Sequence, residues 1–254
     1  MSFEISRETA FHIFKFIYRL LMLLSVAAIL IVGAVIGSDE PFINEKAGAA
    51  VVYSVSTVFT IEMIARLLPV KLFESIGTVK HYKRYYSPRK TETPTDRKSF
   101  YKRSFREIAP VAVFWVLLNG IFVILLKLSL IGESVMILLS LIFGVGDLVC
   151  VLFVCPFKLM MKNRCCSSCR IYNWDMIFLV TPLFFAGEPV FIPPITLAAV
   201  IFTVWEISFY IHPERFYPEG NSRLLCQNCE EHQCLCHIKF KAFFKKKSRK
   251  KKNP

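Results

Sequence analysis

The chain has 254 residues, of which 54% are hydrophobic, and its formal net charge is +13 at pH 7. An average soluble domain is less apolar, so this composition excludes an ordinary soluble globular protein and makes a lipid bilayer the solvent for much of the chain. A positive charge of this size is typical of proteins that bind nucleic acid. In a membrane protein, however, the positions of the cations matter more than their sum.

Apolar runs long enough to cross a membrane recur along the chain. An α-helix rises about 1.5 Å per residue, so about 20 apolar residues cross a hydrocarbon core. No small-residue cleavage site follows the first run, which disfavours a cleaved signal peptide. We predict an all-α polytopic membrane helix bundle with about six transmembrane helices, at residues 20–37, 49–69, 110–130, 134–157, 171–187 and 195–211.

The polar segments between these spans carry most of the cations. They are a basic N-terminal segment (1–19), a basic loop (71–109), a cysteine-rich loop (158–170) and a C-terminal tail (212–254). Together they hold 29 Lys or Arg residues, whereas the opposite side of the predicted bundle holds 2. Because cytosolic loops of membrane proteins are enriched in Lys and Arg, we predict that both termini face the cytosol.

The cysteines cluster on this predicted cytosolic side. Thiols are kept reduced in the cytosol, so metal ligation or redox exchange is favoured over disulfides. Two residues separate Cys166 from Cys169, and two separate Cys226 from Cys229. This spacing lets both sulfurs of a pair face one ion. We therefore predict a four-thiolate site that joins the cysteine-rich loop to the tail.

The sequence leaves the bound group open. Zinc is favoured by its base rate, and an iron–sulfur cluster, a thiol redox relay and no site at all are the alternatives, because residue types alone do not separate them. Cys165 is a spare thiol, since adjacent cysteines seldom bind one ion. The further candidate ligands are Cys165, Cys234, Cys236, His232 and His237.

One stretch resembles known sequences. Residues 165–175 read Cys-Cys-x-x-Cys-Arg-Ile-Tyr-Asn-Trp-Asp, His-Pro-Glu-Arg-Phe follows at 212–216, and the tail carries Cys-x-x-Cys. This pattern, over roughly the last third of the chain, resembles a family of multi-span prokaryotic membrane proteins with no known activity. The resemblance implies a prokaryotic cell membrane and a shared architecture. Within the motif we expect Arg170 and Trp174 at the membrane interface, and Asp175 as a helix cap or a partner of Arg170.

Three carboxylates fall at one predicted depth. Glu62, Asp147 and Glu206 each lie roughly 9 to 12 Å from the cytosolic end of their span at about 1.5 Å per residue. Ionisable groups inside a span are costly and usually face the bundle interior, so a cation or proton path is one interpretation. The alternative is a structural polar cluster in which Arg66 pairs with Glu62 or Asp147 and Glu206 is protonated.

The remaining cations suggest partners. Lys and Arg among Phe residues in 239–252 should bind anionic lipid, with a solvated end as the alternative. Aromatic residues among the cations of loop 71–109 suit a membrane-surface helix better than single-stranded nucleic acid, so nucleic acid is disfavoured. No phosphate-binding loop, zinc-protease motif or nucleophile elbow occurs, so an ordinary enzyme is disfavoured as well.

Three functions follow from these patterns. The first is docking or sensing by a metal-clamped cytosolic face, with a cytosolic protein partner. The second is transport of a cation or proton past Glu62, Asp147 and Glu206, with Arg66 beside them. The third is a membrane redox protein with an iron–sulfur cluster.

Overall fold

The computed structural model describes residues 7–36, 46–68, 82–89, 97–153, 155–157, 169–225 and 228. Within these ranges the regular secondary structure is helical, apart from one isolated β-bridge between Pro88 and Asn221. The six α-helices are α1 (Arg7–Ile36), α2 (Lys46–Leu67), α3 (Arg97–Lys127), α4 (Glu133–Leu152), α5 (Asp175–Phe185) and α6 (Ile192–Ile211).

Five of these helices, α1, α2, α3, α4 and α6, are long and apolar enough to cross a membrane. The all-helical fold is therefore confirmed for the described residues, and the chain is consistent with a multi-pass membrane protein. The fifth predicted span contains α5, which has 11 residues and covers about 16 Å, and most of the 3₁₀ turn Arg170–Asn173 before it. α5 ends before Gly187, whose positive φ of 73° terminates a helix at little steric cost.

Two helices begin earlier than the apolar runs alone suggest. α1 starts at Arg7, so Lys15 and Arg19 of the predicted surface segment lie on the same continuous helix as the apolar run. α3 starts at Arg97, thirteen residues before Pro110, which lies inside that helix. Lys15 and Arg19 are thereby brought into the bundle instead of preceding it, whereas Lys98, Lys102, Arg103 and Arg106 at the start of α3 stay exposed.

The bundle is built on the packing of α1 against α4, α4 against α5, α5 against α6, and α6 against α2. α3 lies at the periphery, and α1 touches α2 much less than it touches α4. Phe59, Met63, Leu141, Leu183 and Trp205 are all buried in the core between these helices. Many apolar side chains on the outer faces, such as those of α1 and α3, stay exposed, as expected for surfaces that face lipid.

The chain after α6 folds back against residues 82–89. Asn221 is fully buried, and its amide donates to the Arg215 carbonyl oxygen at 3.0 Å and accepts from the backbone N–H groups of Ser87 and Arg223. Gly220 is required beside it, because a Cβ there would lie 2.5 Å from the Glu214 carbonyl oxygen. The start of the tail is thus fixed to the end of the bundle.

Replacement of Asn221 by Ala should lower the free energy of unfolding by about 1 to 3 kcal/mol, because three backbone groups lose their partner in a buried site. Thermal unfolding in detergent measures this change. Asn228→Ala is the matched control, since the Asn228 amide is exposed and donates one bond to the Ser222 carbonyl oxygen at 2.8 Å. Equal losses in both variants would contradict the structural role of Asn221.

Candidate functional site: a charged cavity in the helix bundle

A buried ion pair joins the first two helices. The Arg19 guanidinium donates to both carboxylate oxygens of Glu62, through Nε at 3.1 Å and through Nη2. Its Nη1 donates to the Gly144 carbonyl oxygen of α4 at 2.6 Å. Lys15, one turn earlier on α1, lies 3.3 Å from Glu62 Oε2. Glu62 therefore faces two cations, of which Arg19 is its principal partner.

A second buried pair joins α2 to α5. Arg66 Nη1 donates to Asp175 Oδ2 at 2.7 Å, Nη2 donates to the Tyr172 carbonyl oxygen at 3.3 Å, and the guanidinium lies over the Trp205 ring. The sequence interpretation pairs Arg66 with Glu62 or Asp147, whereas the structure pairs it with Asp175. The reason is that Glu62 is already held by two cations of α1.

Glu206 belongs to a separate cluster. Its carboxylate accepts hydrogen bonds from Arg170 Nη2 at 2.5 Å, Trp174 Nε1 at 2.9 Å and the Tyr101 hydroxyl at 3.0 Å. The Arg170 guanidinium also lies 4.1 Å from the centroid of the Phe209 ring. These contacts tie the turn before α5 to α6 and α3. The structure thus gives Arg170 a partner other than Asp175.

A cavity of about 450 Å³ lies among α1, α2, α4 and α5. It contains Glu62 and Asp147 of the predicted carboxylate layer, but Glu206 is not among its lining residues. Three cations and three carboxylates face it, so these six groups sum to zero charge when all are ionised. They are Lys15, Arg19, Glu62, Arg66, Asp147 and Asp175.

Asp147 differs from the other carboxylates of the cavity. Within the described ranges it makes no hydrogen bond or ion pair, although Arg19 and Arg66 are close enough to interact with it electrostatically. Asp147, like Asp175, also lines a second cavity of about 360 Å³, on the side of α4 that faces α3. Trp115, Cys150, Cys155 and Cys169 lie around that second cavity. Asp147 therefore stands between two cavities.

Most of the predicted metal ligands lie outside the described residues. Cys169 is the one ligand candidate that is described, and it directly precedes the 3₁₀ turn Arg170–Asn173. Among the described residues, no group of three or more His, Cys, Asp or Glu side chains could hold a metal ion. The candidates outside the described part are Cys165, Cys166, Cys226, Cys229, Cys234, Cys236, His232 and His237.

Two tyrosines outside the membrane-spanning helices, Tyr82 and Tyr217, stay protonated at neutral pH. The Tyr82 hydroxyl donates to the carbonyl oxygens of Arg66 and Leu67, both at 2.9 Å, and burial raises the pKa of this phenol. Burial also raises the pKa of Tyr217 to about 12. Tyr82 therefore remains a donor to the last carbonyl groups of α2, which no helical N–H group satisfies.

Sequence reasoning missed the two cations of α1. Lys15 and Arg19 stand four residues apart, a spacing that places both on one helix face and could have indicated a site. The sequence indicates Arg170 as an interfacial residue and Asp175 as a helix cap or a partner of Arg170, but the structure pairs Asp175 with Arg66 and Arg170 with Glu206. Their true partners come from other helices, and helix packing cannot be read from a local pattern.

Comparison with protein-family models, with curated proteins and with solved structures finds no match to this chain. The family resemblance in the last third of the sequence therefore stays an expectation.

Replacement of Arg170 by Met should destabilise the protein by about 3 to 5 kcal/mol, because it leaves the Glu206 carboxylate buried without its cation. The double variant Arg170→Met with Glu206→Met should recover much of this loss, since neither charge then remains. Thermal unfolding in detergent provides the measurement.

The control for this pair is Arg103→Met. Arg103 forms an exposed pair with Glu107, with 3.9 Å between Nε and Oε1, and its loss should cost about 0 to 1 kcal/mol. An equally small effect of Arg170→Met would show that Glu206 does not depend on its buried partner.

Proposed function

We propose that this protein is a six-span protein of a prokaryotic cell membrane, with both termini in the cytosol, that carries a proton or a small cation through Asp147. The five long apolar helices support the membrane location, and α5 would be a short sixth span. The strong bias of Lys and Arg toward the polar segments on the predicted cytosolic side supports the orientation.

The state of Asp147 is the observation that carries the transport proposal. A charged side chain within a span costs about 2.5 to 3.5 kcal/mol on insertion scales, so it is normally paired or functional. Glu62 and Asp175 face the same cavity, and each is held by a cation at hydrogen-bonding distance. Asp147 has no such partner among the described residues, so it can take up a proton without breaking an ion pair.

The other two carboxylates of the predicted layer suit a structural role better. Glu62 would have to leave Arg19 and Lys15 to accept a proton, and Glu206 would have to leave three donors. Loss of either set of contacts would separate helices that the carboxylate holds together. The proposed path therefore uses Asp147 as its exchanging group, with the cavities on its two sides as the routes of access.

The test is proton and cation flux in vesicles that contain the purified full-length protein. Asp147→Asn should reduce flux to the rate of protein-free vesicles, because the amide cannot exchange a proton. Glu107→Gln removes an exposed carboxylate on α3 and should leave flux unchanged. Transport by Asp147→Asn at the rate of the unaltered protein would eliminate the proposal.

Docking or sensing through a metal-clamped cytosolic face is the second candidate function. It is supported by a series of contacts from the cysteine-rich loop toward the tail. Cys169 precedes Arg170, which contacts Phe209, and the Phe209 ring lies 5.1 Å from the Phe216 ring. One predicted cysteine pair directly precedes, and the other follows, a segment that contacts the same end of α6, where a cytosolic partner or anionic lipid would meet them.

Metal analysis of protein purified without oxygen tests this second function. We expect one zinc ion per chain and no visible absorbance, whereas an iron–sulfur cluster would absorb visibly. Cys169→Ser and Cys229→Ser should each lose the ion, while Cys150→Ser should retain it. A membrane-impermeant thiol reagent applied to intact cells should not label the tail, and labelling there would contradict the cytosolic orientation.

A further inference from the structure

The charged cavity reaches the outer surface of the bundle between α1 and α2. Phe14 on α1 and Ile61 on α2 both line it, and they are 63% and 60% exposed. These two helices make few contacts with each other, since α1 packs mainly on α4 and α2 mainly on α6. In a membrane, an opening with an apolar rim between two spans faces lipid. The cavity is therefore accessible sideways from the bilayer.

Two cations of the cavity retain unused donors. Lys15 is the second partner of Glu62, which Arg19 already binds through two nitrogens, and its side chain is 22% exposed. Arg66 donates to Asp175 through Nη1 and to the Tyr172 carbonyl oxygen through Nη2, and each of these two nitrogens carries a second N–H group. Both residues could donate to an anionic group in the cavity. Asp147 could accept from a cationic one.

We propose that this cavity binds the headgroup of a zwitterionic phospholipid with a primary ammonium group. The phosphate accepts hydrogen bonds from Lys15 and Arg66, and the ammonium donates to Asp147. The acyl chains remain outside, along the exposed apolar side chains of α1 and α2, which include Leu21, Leu24 and Ile64.

Charge balance selects this class of ligand. The three Lys or Arg cations and the three carboxylates of the cavity sum to zero, so a ligand without net charge leaves this balance unchanged. A lone anion would add an uncompensated charge to an apolar bundle, where charge is costly. A quaternary ammonium has no N–H donor for the Asp147 carboxylate, so a primary ammonium is preferred.

This inference goes beyond the proposed transport function. Both use the Asp147 carboxylate, but flux in vesicles of purely anionic lipid reports transport without the proposed ligand. Loss of lipid selectivity with intact flux would leave transport standing, and loss of flux with intact selectivity would leave the lipid site standing.

Lipid binding to the purified full-length protein can be measured by native mass spectrometry with chain-matched lipids. We expect phosphatidylethanolamine to bind about fivefold or more tightly than phosphatidylglycerol or phosphatidylcholine, since one charge contact contributes about 1 kcal/mol. Soluble O-phosphoethanolamine should not displace it at equal concentration, because the acyl chains contribute to binding. Equal affinity for the three lipids, or displacement by the soluble headgroup, would overturn the proposal.

Substitutions of Asp147 and Lys15 test the proposed contacts with the lipid headgroup one by one. Asp147→Asn should remove the preference for phosphatidylethanolamine over phosphatidylglycerol, and Asp147→Glu should retain it. Lys15→Met should lower the affinity for both lipids by about fivefold. The control Lys127→Met removes an exposed lysine at the far end of α3 and should change neither affinity. If Asp147→Asn does not fold, the comparison of the three lipids with the unaltered protein still decides the question. Retained selectivity in folded Asp147→Asn would overturn the role of Asp147.

Discussion

The buried pair of Arg19 and Glu62 is the constraint on which the arrangement of the bundle depends. Neither charge is stable alone in an apolar interior, so the helices that carry them must come together. Arg19 also reaches the Gly144 carbonyl oxygen, which adds α4 to the same contact. Gly144 permits this approach, because a Cβ there would lie 3.4 Å from Arg19 Nη1 and 3.1 Å from Leu179 Cδ1. One guanidinium thereby connects three helices.

The remaining charges divide into two groups with different consequences. Arg170 and Glu206 form a closed cluster with aromatic donors, which stabilises the turn before α5. The cavity group is open, and its balance of charge is reached across a space large enough for a ligand. The Glu206 carboxylate accepts from three donors, whereas the Asp147 carboxylate has no hydrogen-bond partner among the described residues. This difference is why the proposals concern Asp147 and not Glu206.

Aromatic contacts link the polar clusters to the end of the chain. Phe209 lies beneath Arg170 and contacts Phe216, while Phe100 stacks against Phe209 and touches Tyr217. The segment after α6 is therefore held by α3 and α6 together. A movement of Arg170, for example on the proposed binding of a metal in the adjacent cysteine-rich loop, would therefore change the position of this segment.

The sequence by itself determined the helical class and the apolar runs. These follow from composition and from the fixed rise of a helix, which are local properties. The sequence could not show that Lys15 and Arg19 lie on the same continuous helix as the apolar run. A charged segment before an apolar run fits a location on the membrane surface equally well. Only the tertiary structure paired Arg66 with Asp175, separated Glu206 from Asp147, and opened a cavity between α1 and α2. These features depend on which helices pack together, and a bilayer permits many packings of the same apolar helices.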